Sequence, residues 1–267
     1  MKRTGRFLLS AALPAFLLAL WAVASAAGWV NPLLLPSPLA VIRAAFEMAS
    51  NGTLFTHVAS SFTRVICGYS VSATLALFMS WMCARHARVE EFLHYPLEFV
   101  RIVPPLSLIP LLILWLGIGE APKLAIVMLA SFFSVYLTSF SAFRHVDPKF
   151  LELAKSLNLT PRETFKHILL PQTLPSVMTC MRLGFGFAWR ALIGAELIAA
   201  ASGLGWLIED ASELGRTDVM LVGIFSIAIL GILADKVFVH FTSKISPWAG
   251  VGFGLIQIGL SWHRASG

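Results

Sequence analysis

The chain is poor in charge. Lys, Arg, Asp and Glu supply 13% of its 267 residues, against about 25% in a soluble domain. Other absences narrow the function. The three cysteines, Cys67, Cys83 and Cys180, are scattered in or beside apolar stretches and form no C-x-x-C pair. That suggests neither a disulfide framework nor a metal site, and the three read as small hydrophobes. No G-x-x-x-x-G-K-[ST] phosphate loop occurs. Gly184-Phe185-Gly186 and Gly203-Leu204-Gly205 lack the lysine and the spacing, so the chain is not expected to hydrolyse ATP itself. The histidines, His57, His86, His94, His145, His167, His240 and His263, are spread out and form no nucleophile–base set. Basic tracts interleaved with aromatics are missing, which argues against nucleic-acid binding. There is no 20–50 residue repeat, low-complexity tract or linker, so residues 1–267 read as one domain.

What is present is oil. Hydrophobic residues make up 57%, and mean hydropathy is +0.79. A spanning helix needs about 20 mostly apolar residues. Reading runs between charges predicts an all-α polytopic membrane protein with six spans at 7–30, 56–83, 95–116, 124–140, 174–200 and 219–241. The first run follows Lys2, Arg3 and Arg6 and ends in A-S-A-A, like a secretory signal. It is longer than the usual signal core of roughly 7–15 residues, so an uncleaved span is expected. Basic residues mark orientation. Arg85 and Arg88 follow the second run. Arg144, Lys149, Lys155, Arg162 and Lys166 follow the fourth, and Lys236, Lys244 and Arg264 flank or follow the last. The alternate loops hold Arg43, Lys123 and Arg216. Both termini and the 147–171 loop are therefore expected in the cytoplasm.

Three local features stand out. Ser37-Pro38 reads as an N-cap and first-turn proline, with Val41, Ala44, Ala45 and Met48 on one face of a short outer interfacial helix ended by Asn51-Gly52. The third run contains Pro104, Pro105 and Pro110, which predicts a kink. The kink serves either a pathway or packing. The apolar segment 247–262 is short for a span and reads as interfacial.

The polar loop from Asp147 to Pro171 is the most organised stretch. Asp147-Pro148 starts a helix. Phe150, Leu153, Ala154 and Leu157 fall on one helical face, with Glu152, Lys155 and Ser156 on the polar side. Asn158 stands where a helix end takes a left-handed residue. Thr160-Pro161-Arg162-Glu163 is a capping box that opens a second helix toward Leu170, and Pro171 marks the start of the fifth span. Mechanics alone leave open an amphipathic loop resting on the membrane.

This loop resembles the cytoplasmic signature of ABC importer membrane subunits: E-A-A, three residues, G, nine residues, I-x-L-P. Glu152, Ala154, Ile168, Leu170 and Pro171 match; Leu153 replaces an alanine and Asn158 the glycine. P-L-E-F-V-R-I-V-P-P at 96–105, L-W-L-G-I-G-E at 114–120, G-L-G at 203–205 and L-L-P-S-P at 34–38 are similar to the nitrate, sulfonate and taurine branch of these permeases. The resemblance covers about residues 30–245. It implies a type I importer permease fold with a core at about 56–245 and a coupling helix between spans four and five. Phe150, Glu152, Leu153, Ala154, Leu157, Asn158 and Pro171 would couple the chain to an ATP-binding cassette subunit. That subunit would bind the ATP and Mg, this chain needing no cofactor of its own. A second copy of the chain and an extracytoplasmic substrate-binding protein complete the implied assembly, set in the bilayer of a bacterial inner membrane. The implied cargo is a small anion, with an organosulfonate favoured over nitrate, bicarbonate or a pyrimidine precursor.

Ionisable residues inside spans are costly and default to functional candidates. Arg101, Arg182, Arg190 and Glu196 are therefore candidates for the translocation path. Arg101 and Arg182 also read as snorkelling inward, and Arg64 outward. Arg190 reads either as a structural partner of Glu196 or of backbone carbonyls, or as a cation in the path of an anion. Gly184, Gly186 and Ala188 read as a close helix contact. Two rival readings remain. A secondary carrier would show midplane carboxylates and internal symmetry, neither of which is clear. A membrane assembly factor would need no companion ATPase.

Overall fold

A computed structural model describes residues 2–146 and 148–245; the Asp147 cap and the segment 247–262 lie outside them. Every regular element among the described residues is helical. In chain order they are α1 (Lys2–Ala26), α2 (Pro38–Ser50), α3 (Thr53–Arg85) and α4 (Ala87–Ile102). A 3-10 turn (Pro105–Leu108) then leads to α5 (Ile109–Leu116), α6 (Glu120–Arg144), α7 (Pro148–Ser156) and α8 (Pro161–Thr164). A π-turn (Phe165–Leu169) joins α8 to α9 (Leu170–Ala199), followed by α10 (Leu204–Glu213) and α11 (Thr217–Ile245).

By length and composition, α3, α6 and α11 can each cross a membrane, and α4 with Pro105–Leu116 makes a fourth if that bent pair is one span. The first and fifth apolar runs fall on α1, whose apolar described stretch Ala12–Ala26 is short, and on α9. Helix α9 has 30 residues but is interrupted by Gln172, Arg182, Arg190 and Glu196. Large apolar side chains remain exposed along these helices, among them Ile224, Phe225, Ile229, Ile232 and Leu233 on α11. That surface suits hydrocarbon.

The third run is not one kinked helix. It breaks into two helices bent by 87°. A residue before proline is pushed out of the helical region. Val103 precedes Pro104 and Pro104 precedes Pro105, so two successive residues are extended, with ψ of 122° and 124°. Pro110 sits in the first turn of α5, where its missing N–H costs nothing.

The helices form two compact units, Met1–Thr63 with Ile193–Ile229, and Arg64–Leu192 with Leu230–Gly267; α3, α9 and α11 contribute to both. In the first, the Ser37 hydroxyl accepts from the Ala40 amide at 3.2 Å and opens α2, which buries Val41, Ala44 and Met48. The Trp21 indole donates to the Pro36 carbonyl. In the second, α3, α6 and α9 meet through small residues. Ser72 donates to the Met128 carbonyl and lies 2.9 Å from the Ser131 hydroxyl. Tyr69 donates to the Met181 carbonyl at 2.6 Å. A Cβ at Gly68 would lie 2.8 Å from Val127, and one at Gly184 2.5 Å from Val135. Close backbone approach is thus what these glycines supply.

The same contacts separate Gly184 from Gly186, whose added Cβ would meet only Arg190 Nη2 at 3.5 Å. Gly184→Ala should lower thermal stability by about 1–3 kcal/mol, the usual cost of overpacking. Gly186→Ala should leave it nearly unchanged, as read by thermal unfolding of the purified protein in one detergent.

Candidate functional site

The loop between α6 and α9 is locked at each boundary by its own sequence. Helix α7 ends at a left-handed residue, Asn158, with φ of 51°. The Asn158 amide donates to the Lys155 carbonyl and the Leu159 amide to the Ala154 carbonyl, both at 3.0 Å. This double closure satisfies the last carbonyls of the helix. Thr160 then caps α8. Its hydroxyl accepts from the Glu163 amide at 3.3 Å, while the Thr160 amide and hydroxyl donate to the Glu163 carboxylate at 2.8 and 2.7 Å. The Thr160 backbone amide, then its hydroxyl, hold the Glu163 carboxyl below the usual glutamate range.

Two details differ from the sequence reading. The apolar face of α7 is covered unevenly. Ala154 is 4% exposed, whereas Phe150, Leu153 and Leu157 are 46%, 49% and 60% exposed. Glu152 is exposed as well. Pro171 stands at the start of α9, yet the helix that opens at Pro161 does not stop before it. Helix continues from Pro161 into α9 through the π-turn, where the Leu170 amide bonds the Phe165 carbonyl. Proline at 171 has no amide to give the carbonyl four residues back, and the wider turn before it accommodates that gap.

A second cluster sits at the start of α10. Glu196 is 1% exposed. Its carboxylate accepts from the Ser61 hydroxyl at 2.8 Å and from the Gly205 amide at 3.0 Å. Ser61 in turn accepts from the Leu204 amide at 2.8 Å, and His57 Nδ1 from the Gly203 amide at 3.2 Å. The His57 ring stacks on Trp206. Three successive amides at a helix N-terminus, normally orphaned, are met by side chains from α3 and α9. A carboxylate there also suits the helix dipole. Gly203 has φ of +119°, and a Cβ on it would lie 2.4 Å from the Glu196 carboxyl. The G-L-G triplet is thus shaped around this carboxylate.

The charged residues inside helices divide into pairs and a cleft. The Arg182 guanidinium holds Asp235 through two bonds of 2.5 and 2.6 Å. Arg64, 8% exposed, forks onto Glu120 at 2.5 and 2.9 Å, and Lys123 reaches the same carboxylate at 2.8 Å. Arg190 turns back along α9, where Nε donates to the Gly186 carbonyl at 2.9 Å and the guanidinium lies 5.0 Å over the Phe187 ring. Its partner is thus a backbone carbonyl, the second of its two structural alternatives. Arg101 pairs with Glu98 on its own helix. Of the four path candidates, the structure brings Arg101 and Arg190 to one cleft of about 340 Å³ beside the α4–α5 break. Arg182 lies in its ion pair, and Glu196 in the clamp. Ser61, His57, Glu120 and Asp235 were not marked by sequence reasoning. Asp235 and Glu120 carried one available signal, as acids within or beside apolar runs.

The family model described as the binding-protein-dependent transport system inner membrane component matches residues 73–247. The chain belongs to this family. It is the transmembrane subunit of an ABC importer, an integral inner-membrane permease. A protein of Escherichia coli named as an aliphatic sulfonates transport permease, SsuC, is 38% identical over 84% of this chain and 85% of its own length. The taurine transport system permease protein TauC of the same organism is 32% identical over 88% of each. The fold matches a chain of an amino acid ABC transporter crystallised with histidines, with a TM-score of 0.59 and 14% identity, covering 75% of this permease and 96% of that chain.

Ser61→Ala removes both a donor to Glu196 and an acceptor for Leu204. It should cost about 2 kcal/mol and speed amide exchange at 203–205, measured by hydrogen–deuterium exchange. The α8 cap should be pH-dependent. Because the folded carboxyl of Glu163 is depressed, its contribution is complete above the unfolded value of about 4.3 and is lost as pH falls through the folded one. Amide protection at 163–165, corrected for intrinsic exchange, should therefore fall in that acid window, and Glu163→Gln should flatten the dependence.

Proposed function

We propose that this permease carries a small organosulfonate anion and is driven by a separate ATP-binding subunit that docks on α7. The observation that carries the docking is the exposed row Phe150, Leu153 and Leu157 on a helix closed at Asn158 and followed at once by the capped start of α8. An apolar row held rigid and left uncovered suits a partner groove. Glu152, beside it, supplies a polar or ionic contact. The ATP and Mg belong to the partner subunit. Six spans, with both termini and this loop in the cytoplasm, follow from the apolar runs and the basic residues beside them. Two copies of the chain flank the path, and a binding protein delivers ligand on the outer side. The names of the sulfonate and taurine relatives support the choice of cargo.

Co-expression with the nucleotide-binding subunit tests the docking. The wild-type chain should co-purify with it, and Leu153→Asp or Glu152→Arg should cut the recovered subunit at least tenfold while the permease still elutes as a single species. Sulfonate uptake by the wild-type chain alone, without ATP, would overturn the reading. Thermal shift of the partner binding protein across sulfonates, taurine, nitrate and bicarbonate should show stabilisation by the sulfonates first.

A further inference from the structure

The cleft beside the α4–α5 break combines two kinds of wall. Arg101 and Arg190 line it together with Leu106, Leu129, Phe133 and Phe187. Its volume, about 340 Å³, is at the small end of ligand sites, roughly 300–1,000 Å³. The two cations differ. Arg101 is already engaged by Glu98. Arg190 has no carboxylate partner among the described residues; it is fixed by the Gly186 carbonyl and the Phe187 face through Nε and the ring plane. Those contacts orient the guanidinium and leave its Nη fork without an acid. Gly186 does not crowd the fork, since even a Cβ there would meet Nη2 only at an ordinary contact distance of 3.5 Å. Counting Glu98, the described residues of the cleft carry one uncompensated positive charge against apolar walls.

We propose that this cleft is a binding subsite within the permease for an amphipathic monoanion, an alkanesulfonate. The sulfonate oxygens sit on the Arg190 fork, which matches such planar two-point acceptance. The alkyl chain lies against Leu106, Leu129 and Phe133, and Arg101 adds to the positive field. An inorganic anion fills the charged part alone and leaves the apolar wall bare. The cleft thus selects for a tail as well as a charge, so the membrane subunit discriminates among anions independently of the binding protein. This rests on the sulfonate reading above and adds a site to it.

The experiment uses the purified full chain in nanodiscs, with half-maximal thermal stabilisation by ethane-, butane- and hexanesulfonate as the readout. Sulfate, nitrate and pentanoate are the comparison anions. Affinity should rise roughly two- to fourfold per added methylene, the tendency for burying a CH₂ group, and sulfate and nitrate should bind at least tenfold more weakly than butanesulfonate. Pentanoate binding as well as butanesulfonate would show that the head group is not selected, and would overturn the sulfonate assignment. Arg190→Gln should weaken butanesulfonate at least tenfold, and Arg190→Lys should recover part of it. Ala130→Leu narrows the cleft without touching charge and should shift preference to the shorter chains. It keeps the test decisive if Arg190→Gln fails to fold. Unchanged butanesulfonate binding in Arg190→Gln, or no chain-length trend in the wild-type protein, overturns the subsite. Uptake by the assembled transporter separates the two levels. Wild-type uptake of butanesulfonate with an unchanged KM in Arg190→Gln sinks the cleft alone, whereas no ATP-driven sulfonate uptake by the wild type sinks the cargo assignment.

Discussion

A helix that ends in an apolar environment exposes backbone amides that water does not reach, and each must find a partner within the protein. That constraint shapes the irregular points of this chain. At the start of α10 it is met by Glu196, Ser61 and His57, which together take the amides of Gly203, Leu204 and Gly205. Between α4 and α5 prolines at 104 and 105 remove amides that would otherwise need partners. At 165–169 a longer hydrogen-bonded turn absorbs the gap before Pro171. The long helices need no such devices along their length, because they satisfy themselves.

Charge follows a similar logic. A guanidinium among apolar helices is tolerable when a carboxylate faces it, as in Arg182 with Asp235 and Arg64 with Glu120. Lys123 shares the second carboxylate, so that group is a compact positive cluster closed on itself. Arg190 is stabilised differently, by a backbone carbonyl and an aromatic face. It is exposed, whereas Arg64 and Arg182 each join two helices through a carboxylate.

Legibility in the sequence depended on distance along the chain. The loop was readable almost in full, because a capping box, a left-handed asparagine and a first-turn proline act over three or four residues. The break at 103–105 was readable as a disturbance. Its size was not, since an 87° turn needs two consecutive residues extended at once. The clamp on α10 was invisible: Glu196 and Ser61 stand 135 positions apart, and His57 was one of several scattered histidines. The partners of Arg182 and Arg64 were missed for the same reason, lying 53 and 56 residues away. The exposure of Leu153 beside the burial of Ala154 also escaped, because periodicity identifies a face but not how far it is covered.

From Pro161 to Arg190 the backbone is one unbroken helix with a single irregular turn at Phe165–Leu169. A turn closed over five residues holds back the winding of the helix beyond it, by up to about 100° for one full residue. The azimuth of Arg190 about the axis is therefore set near the loop, some twenty residues earlier. The two ends behave as one crankshaft, in which the angular offset of the throw is cast into the π-turn. The angle between the loop and Arg190 is thus set by the count of residues in that one turn.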